Sequence, residues 1–313
     1  MAVMHAVRIH GYGGTEALVY EEAPRPAPGA GELLIQIHAT SVNPFDVALR
    51  SGYLAGYFDH ALPLVLGTDV AGVVDEVGAG VDGFSPGDNV YARSGVTRDG
   101  SYAEYVVVPA ADVAFKPQTL DFVQSAALPH VTLTAWQALF EAADLAEGQT
   151  VLIHAAAGGV GHIAVQLAKL RGATVIGTAS ENIDFLRELE VDEAVNYATT
   201  PFEDVVSDVD VVLDTVGGDT QERSWSVLKP GGILVSSVQP PSDEEAQARG
   251  VRQHFIFAVP PIGKVLTEVA AMADAGEVSP KVSTILPLTD IRKAHELIET
   301  GHTRGKIGVR VAD

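Results

Sequence analysis

Ala156-Ala157-Gly158-Gly159-Val160-Gly161 is the segment whose residue types and spacing carry the clearest chemistry. It is a G-x-G-x-x-G pattern with alanine in the first place. Such a pattern provides a tight turn, a bare backbone where a pyrophosphate approaches, and a small residue where a helix packs closely on a strand. The helix that follows offers unbonded amides and the positive end of its dipole to phosphates. A glycine-rich hexapeptide alone is often only a turn, but here it lies between a short apolar strand and a helix in a βαβ unit. Ala157, Gly158, Gly159, Val160 and Gly161 are therefore expected to bind a dinucleotide. An NAD site carries an acid at the end of the second strand. This chain has Ala179-Ser180 there, and a small hydroxyl at Ser180 suits the 2′-phosphate of NADPH. Two features leave that reading open: Ser180 also suits a plain turn, and the Glu181 carboxylate would repel a phosphate if it pointed inward.

Other chemistries are narrowed by composition. The chain has no cysteine, which removes disulfides, thiolate nucleophiles and cysteine-ligated metals. Its histidines are scattered, without an i, i+4 pair. The formal net charge of -21 argues against nucleic acid or an anionic membrane as partner. Cofactor phosphates must then be held locally by backbone amides. No apolar run approaches the roughly 18 residues that span a bilayer. The start, Met1-Ala2-Val3-Met4-His5-Ala6-Val7-Arg8-Ile9, alternates like a strand, and a cytoplasmic protein is the expectation.

The elements that must position these residues fall into two rhythms. The first hundred or so residues read as short strands, such as Leu33–Ile37, Val70–Val74 and Ala103–Val108, separated by Gly and Pro turns. From about Pro117 strands and helices alternate. Thr150–His154, a helix over 160–170, Ala173–Gly177, a helix over 183–190, Ala194–Tyr197, Val209–Asp214 and Ile233–Ser237 follow one another. Near-continuous apolar strands in such a series predict a doubly wound parallel sheet. Near the C-terminus a helix with Ile291, Ala294, Leu297 and Ile298 on one face is expected to be capped by Thr289 and ended by Gly301. A closing strand spans Lys306–Val311. The fold class expected is α/β.

The run from Gly148 and Gln149 through Leu152, Ala156-Ala157-Gly158-Gly159, Gly161 and Gln166 to Lys169 resembles the signature of quinone oxidoreductases in the medium-chain dehydrogenase/reductase superfamily. The resemblance extends over essentially the whole chain. It implies a GroES-like β catalytic domain, placed at 1–122 and 281–313, and a Rossmann cofactor domain at 123–280, with NADPH in the cleft between them. It also implies a homodimer joined by sheet edges of the cofactor domain. In Ser41-Val42-Asn43-Pro44-Phe45-Asp46 it places Asn43 at the substrate oxygen or nicotinamide ribose and Asp46 on the same wall. Capping of a helix start is the alternative for both. Tyr53 resembles an active-site tyrosine that donates a proton or stacks on the ligand, with an unrelated tyrosine as the alternative. Thr134, Tyr197, Gly217 with Gly218, and Lys306 resemble cofactor contacts, although Lys306 could equally be solvated. Phe255 and Phe257 suit apolar wall, dimer surface or core. Zinc-dependent relatives hold their metal at positions that here read Asn43, Thr68 and, nearby, His130. Those residues make no zinc site, so no metal is expected.

Without a Lewis acid nothing strong stabilises an alkoxide, so reduction of a simple ketone becomes hard. Quinones and α,β-unsaturated carbonyls delocalise the arriving charge and are the expected small-molecule substrates. Two other readings stay open: an enoyl-thioester reductase, for which Arg93 and Arg98 are the only nearby cations, and a non-catalytic NADPH-binding redox sensor.

Overall fold

The computed structural model describes residues 2–58 and 60–312, so Met1 of the N-terminal alternation lies outside it. The chain forms two compact units, Met1–His130 with Pro260–Gly276 and Pro280–Asp313, and Val131–Val259 with Glu277–Ser279.

The first unit is organised by the long strand Glu32–Val42, which pairs antiparallel with Asp69–Val77, Tyr105–Pro109 and Lys306–Arg310. Its register against Asp69–Val77 shifts twice, between Leu34 and Ile35 and between Ile37 and Ala39. Each bulge bends the strand and increases its twist, which is how a small sheet curls around a core. Gly72 has no room for a side chain against the neighbouring strand, since a Cβ there would stand 2.0 Å from the Gln36 carbonyl oxygen. Leu33, Ile35, Ile37, Val70, Val74, Val90 and Val106 fill one core.

At the C-terminus, Val282–Pro287 and Lys306–Arg310 run parallel, joined through the helix Ile291–Glu299. Ile291 and Ala294 are buried and Leu297 and Ile298 pack on the same cluster, as the apolar spacing requires. The expected cap at Thr289 is corrected: Asp290 is the N-cap, because Leu288–Asp290 forms a short 3-10 turn ahead of the helix. Gly301 does end the helix, with a φ of 73° and its N–H on Ile298 O at 3.1 Å.

The second unit is a six-stranded parallel sheet in the order Glu193–Asn196, Thr174–Ala179, Thr150–Ile153, Val209–Asp214, Leu228–Ser236, Arg252–Phe255. This is the doubly wound order, reversing beside its first strand. The central strands are apolar and buried, as expected of a sheet covered on both faces. The edge strand Arg252–Phe255 carries no apolar run, so periodicity does not reveal it. Residues 260–276, expected in the cofactor domain, group with the first unit. The helix Gly263–Asp274 packs where a Cβ on Gly263 would meet Ala111 O at 2.5 Å, and the Tyr91 hydroxyl donates to Leu266 O.

Candidate functional site

In the second unit the strand Thr150–Ile153 runs into a turn that only small residues can make. Ala155 has a φ of 47°, in the left-handed region. The turn is tied to the next strand, with Ala156 N–H on Thr178 O at 3.0 Å, and closed by Gly158 N–H on Ala155 O at 2.8 Å. The helix Gly159–Leu170 starts from an extended Gly158. A Cβ on Gly161 would lie 2.3 Å from Ala155 O and 2.6 Å from Ala156 Cα, so the helix can meet its strand only through glycine. Gly158, Gly159 and Val160 are half-buried, leaving backbone at the surface, and the first amides of the helix have no carbonyl one turn back. This cradle fits a pyrophosphate.

The neighbouring strand Val209–Asp214 ends beside it, Leu213 paired with Ile153. Buried Asp214 holds the loop that follows, its Oδ1 accepting the amides of Val216 at 2.9 Å and Gly217 at 2.8 Å. Its Oδ2 accepts from Gln221 and Ser236. Gly217 has φ 78° and ψ -166°, a conformation open to glycine. Cradle and loop therefore stand at the carboxyl ends of adjacent strands, at the point where strand order reverses, which is where such sheets bind ligands. At the end of Thr174–Ala179, Tyr197 N–H bonds Ala179 O at 3.1 Å, bringing Tyr197 beside Ser180. Tyr197 is half-exposed and Glu181 exposed. Thr134 is buried in the helix Pro129–Trp136. His154, to which sequence reading assigns no role, ties this unit together: Nδ1 meets Thr178 Oγ1 at 3.2 Å and Nε2 meets Ser224 Oγ at 2.9 Å. Burial pulls its pKa down to about 4, so it is neutral.

The first unit holds a buried polar cluster. Asn43 is the N-cap of the helix Pro44–Arg50, and the Asp46 carboxylate accepts its N–H at 2.8 Å, so the capping alternative describes the local structure. Capping is only part of it. The Asn43 amide donates to Thr68 Oγ1 at 3.2 Å and to Asp69 Oδ2 at 2.8 Å, and its oxygen accepts from Lys306 Nζ. Lys306 also donates to Val42 O at 3.1 Å and lies 3.4 Å from Asp69 Oδ2. Far from being solvated, it is 3 % exposed and its three N–H donors are taken. Asp69, with no exposure at all, accepts the His130 amide at 2.7 Å and the Ser41 hydroxyl. Burial would raise the Asp69 pKa, but the Lys306 ammonium and the surrounding donors outweigh it and hold the carboxyl below its ordinary value. Burial lowers the Lys306 pKa against the opposing pull of Asp69. The structure thus gathers Asn43, Thr68 and His130 around Asp69, a residue to which the sequence reading assigned no role.

A second chain of contacts leads outward from Asp46. The Tyr102 hydroxyl donates to Asp46 Oδ2 at 3.0 Å, His295 Nε2 meets that hydroxyl at 3.2 Å, and Arg50 Nη1 meets His295 Nδ1 at 3.2 Å. Arg50 pairs with Glu299 at 2.6 Å. Burial raises the Asp46 pKa to about 7, and its Oδ1 has no hydrogen-bond partner among the described residues. Burial lowers His295 to about 3. Tyr53, by contrast, is 77 % exposed on the turn after the helix and is not drawn into this cluster. Arg98 pairs with Glu32 at 2.7 Å and Arg93 is buried, so neither offers an open basic approach for a phosphorylated carrier. Among the described residues, no group of three or more His, Cys, Asp or Glu is placed to hold a metal ion, and no helix is long and apolar enough to cross a membrane.

Comparison with known proteins adds to this geometry. Residues 29–118 match the alcohol dehydrogenase GroES-like domain, and residues 189–309 match the family described as zinc-binding dehydrogenase. A mitochondrial NAD(P)H oxidoreductase of Danio rerio is 33 % identical, the match covering 90 % of this chain and 84 % of the relative. A 2-methylene-furan-3-one reductase of Solanum lycopersicum is 35 % identical over 95 % of this chain and 76 % of its own. The solved structure of a quinone oxidoreductase from Coxiella burnetii superposes with a TM-score of 0.92 at 35 % identity, covering 99 % of this chain and 100 % of that one.

Proposed function

Because the chain belongs to the quinone oxidoreductase family of the medium-chain dehydrogenase/reductase superfamily, and is a nicotinamide-dependent oxidoreductase of small molecules, we propose that it reduces quinones or α,β-unsaturated carbonyls with NADPH. The observation that carries the cofactor choice is the end of the second Rossmann strand. The Tyr197 amide bonds Ala179 O there, one residue before Ser180, with Ala179 where an NAD-selecting acid would stand, and Glu181 is exposed. Ala157, Gly158, Gly159, Val160 and Gly161 hold the pyrophosphate, and Thr134 and Gly217 approach the nicotinamide end.

When bound, the nicotinamide supplies a hydride to the electron-poor carbon of the acceptor. The π electrons of the acceptor move onto its carbonyl oxygen, and a proton completes the quinol or saturated ketone. The task left to the protein is mainly to hold the reactants near 3–3.5 Å apart without water. We assign Asn43, Asp46 and Tyr53 to the reaction. Lys306 and Asp69 fix the Asn43 amide, so its orientation costs no reorganisation when charge develops nearby. Exposed Tyr53 can stack on the acceptor or pass it a proton.

Purified protein should oxidise NADPH faster than NADH with quinones and enones, and exhaustive chelation should leave the rate unchanged. Fluorescence titration should show tighter NADPH binding, and tighter NADH binding would overturn the cofactor assignment. We also assign a homodimer, supported by the edge strand Arg252–Phe255, whose outer side is unpaired in the sheet order. Light scattering should give twice the chain mass, and a monomeric mass would refute it.

A further inference from the structure

Arg93 closes the strand Asn89–Arg93, opposite Asp69 in the register, and is 1 % exposed. Its Nε donates to His130 Nδ1 at 3.3 Å, and its guanidinium carbon lies 5.9 Å from the centroid of the Phe45 ring. Nη2 is shut off from solvent and has no hydrogen-bond partner among the described residues. No carboxylate among those residues forms an ion pair with it, although Asp69, Asp46 and Asp112 bathe it in negative potential. A guanidinium does not shed its proton to escape burial, so a buried cation with a spare donor is a standing cost to the fold. Ordinary cores avoid such groups.

Phe45 and Phe58 meet edge-on at 5.9 Å, and Phe45 lies 5.9 Å from His130. All three rings are half-buried and, inclined to one another, form an aromatic wall beside the cation. Phe45 follows Asn43 by two residues, so this wall adjoins the Asn43–Asp69–Lys306 cluster.

We propose that Arg93 is a substrate-binding residue whose Nη2 donates to the carbonyl oxygen of a planar conjugated acceptor lying against Phe45 and Phe58. The proposal rests on the quinone or enone reading and deepens it by naming the group that receives the oxygen. As hydride reaches the acceptor carbon, the π electron pair settles on the oxygen bound to Arg93. The bond then becomes charge-assisted and strengthens. Arg93 keeps its proton throughout, and the proton that completes the product comes from elsewhere. Planar aromatic carboxylates, which carry that negative oxygen permanently, should occupy the same place without cofactor.

The test uses benzoate as probe, with the neutral ether anisole as control, on the full chain and on Arg93→Met and Arg93→Lys. Benzoate should bind the native protein, and Arg93→Met should weaken it ten- to a hundredfold, with Arg93→Lys intermediate. Anisole binding and NADPH affinity should not change. Quinone kcat/KM should fall with benzoate affinity, while Arg93→Met should melt no lower than the native protein, because it deletes an unpaired buried charge. A structural arginine would do the reverse: Arg93→Met would melt lower and leave benzoate affinity and kcat/KM intact, which would overturn the proposal. Failure of the native protein to bind benzoate would overturn it too. If benzoate binding depends on Arg93 but no quinone or enone is reduced, the oxyanion subsite stands and the proposed substrate class falls.

Discussion

Removing the Asn43 carboxamide releases three partners at once: Thr68, Asp69 and the Lys306 ammonium. A hydrogen bond to a charged group contributes about 1.5–3 kcal/mol. Asn43→Ala should therefore melt earlier and, in the folded protein, slow single-turnover NADPH oxidation about ten- to a hundredfold, or 1–3 kcal/mol in the barrier. NADPH affinity should be largely unchanged. An unchanged rate constant in the folded variant would end the catalytic assignment and leave only the helix cap. At this scale the sequence was legible in part. Asn43, Thr68 and His130 could be singled out from their positions. Asp69 could not, because an aspartate at the start of a strand reads as a boundary residue. Nothing local shows that Lys306, 263 positions later, will reach Asn43. Buried polar clusters are assembled by long-range pairing, and periodicity reports only local structure.

At the scale of elements, the glycine turn was the most legible feature, because its chemistry is confined to a few consecutive residues. Ala155 was not anticipated as a strained position. A left-handed alanine costs roughly 1–2 kcal/mol, partly offset by the extra unfolded-state entropy of a glycine. Ala155→Gly should accordingly be neutral or stabilising by up to about 1 kcal/mol, while keeping the cradle. Gly161→Ala should do the opposite. Its Cβ would meet backbone at 2.3 Å, so the helix must move away from the strand. Overpacking of this kind costs about 1–3 kcal/mol, and NADPH affinity should fall with it. Denaturant melts and a fluorescence titration check both variants, and a Gly161→Ala protein with native stability and affinity would contradict the close packing. The edge strand Arg252–Phe255 escaped sequence reading for a physical reason: half its surface is solvated, so it need not be apolar.

For the whole molecule, three histidines desolvated by the fold, His154 and His295 buried and His130 half-buried, dominate the response to acid. In the fold His130 and His295 are held to about 3 and His154 to about 4, each chiefly by burial. Unfolded, each would take a proton near 6.5. Below that pH the unfolded chain binds more protons than the folded one, so stability present above 6.5 is lost as pH falls toward 4. Asp46 runs the other way, because its folded pKa of about 7 exceeds the ordinary carboxylate value. Its contribution is largest in acid and is lost as pH rises through 7. Three groups outweigh one, so the unfolding free energy should fall by an amount on the order of several kcal/mol between pH 7 and pH 4. Urea melts at pH 7.5 and pH 5 test this, and an equal or higher midpoint at pH 5 would refute it.

The strand Lys306–Arg310 also sets an order of events in time. It joins the long strand Glu32–Val42 across a separation of 264 residues between Lys306 and Val42. Synthesis proceeds from the N-terminus at about 5–20 residues per second, so Asn43 and Asp69 wait roughly 10–60 s for their cation. Until then the first sheet lacks a strand and Asp69 lacks its counter-charge, while residues 131–259 are already complete enough to form their parallel sheet. The cofactor unit is thus the part of the nascent chain able to mature first, and the interrupted unit closes only once Lys306–Arg310 has been made.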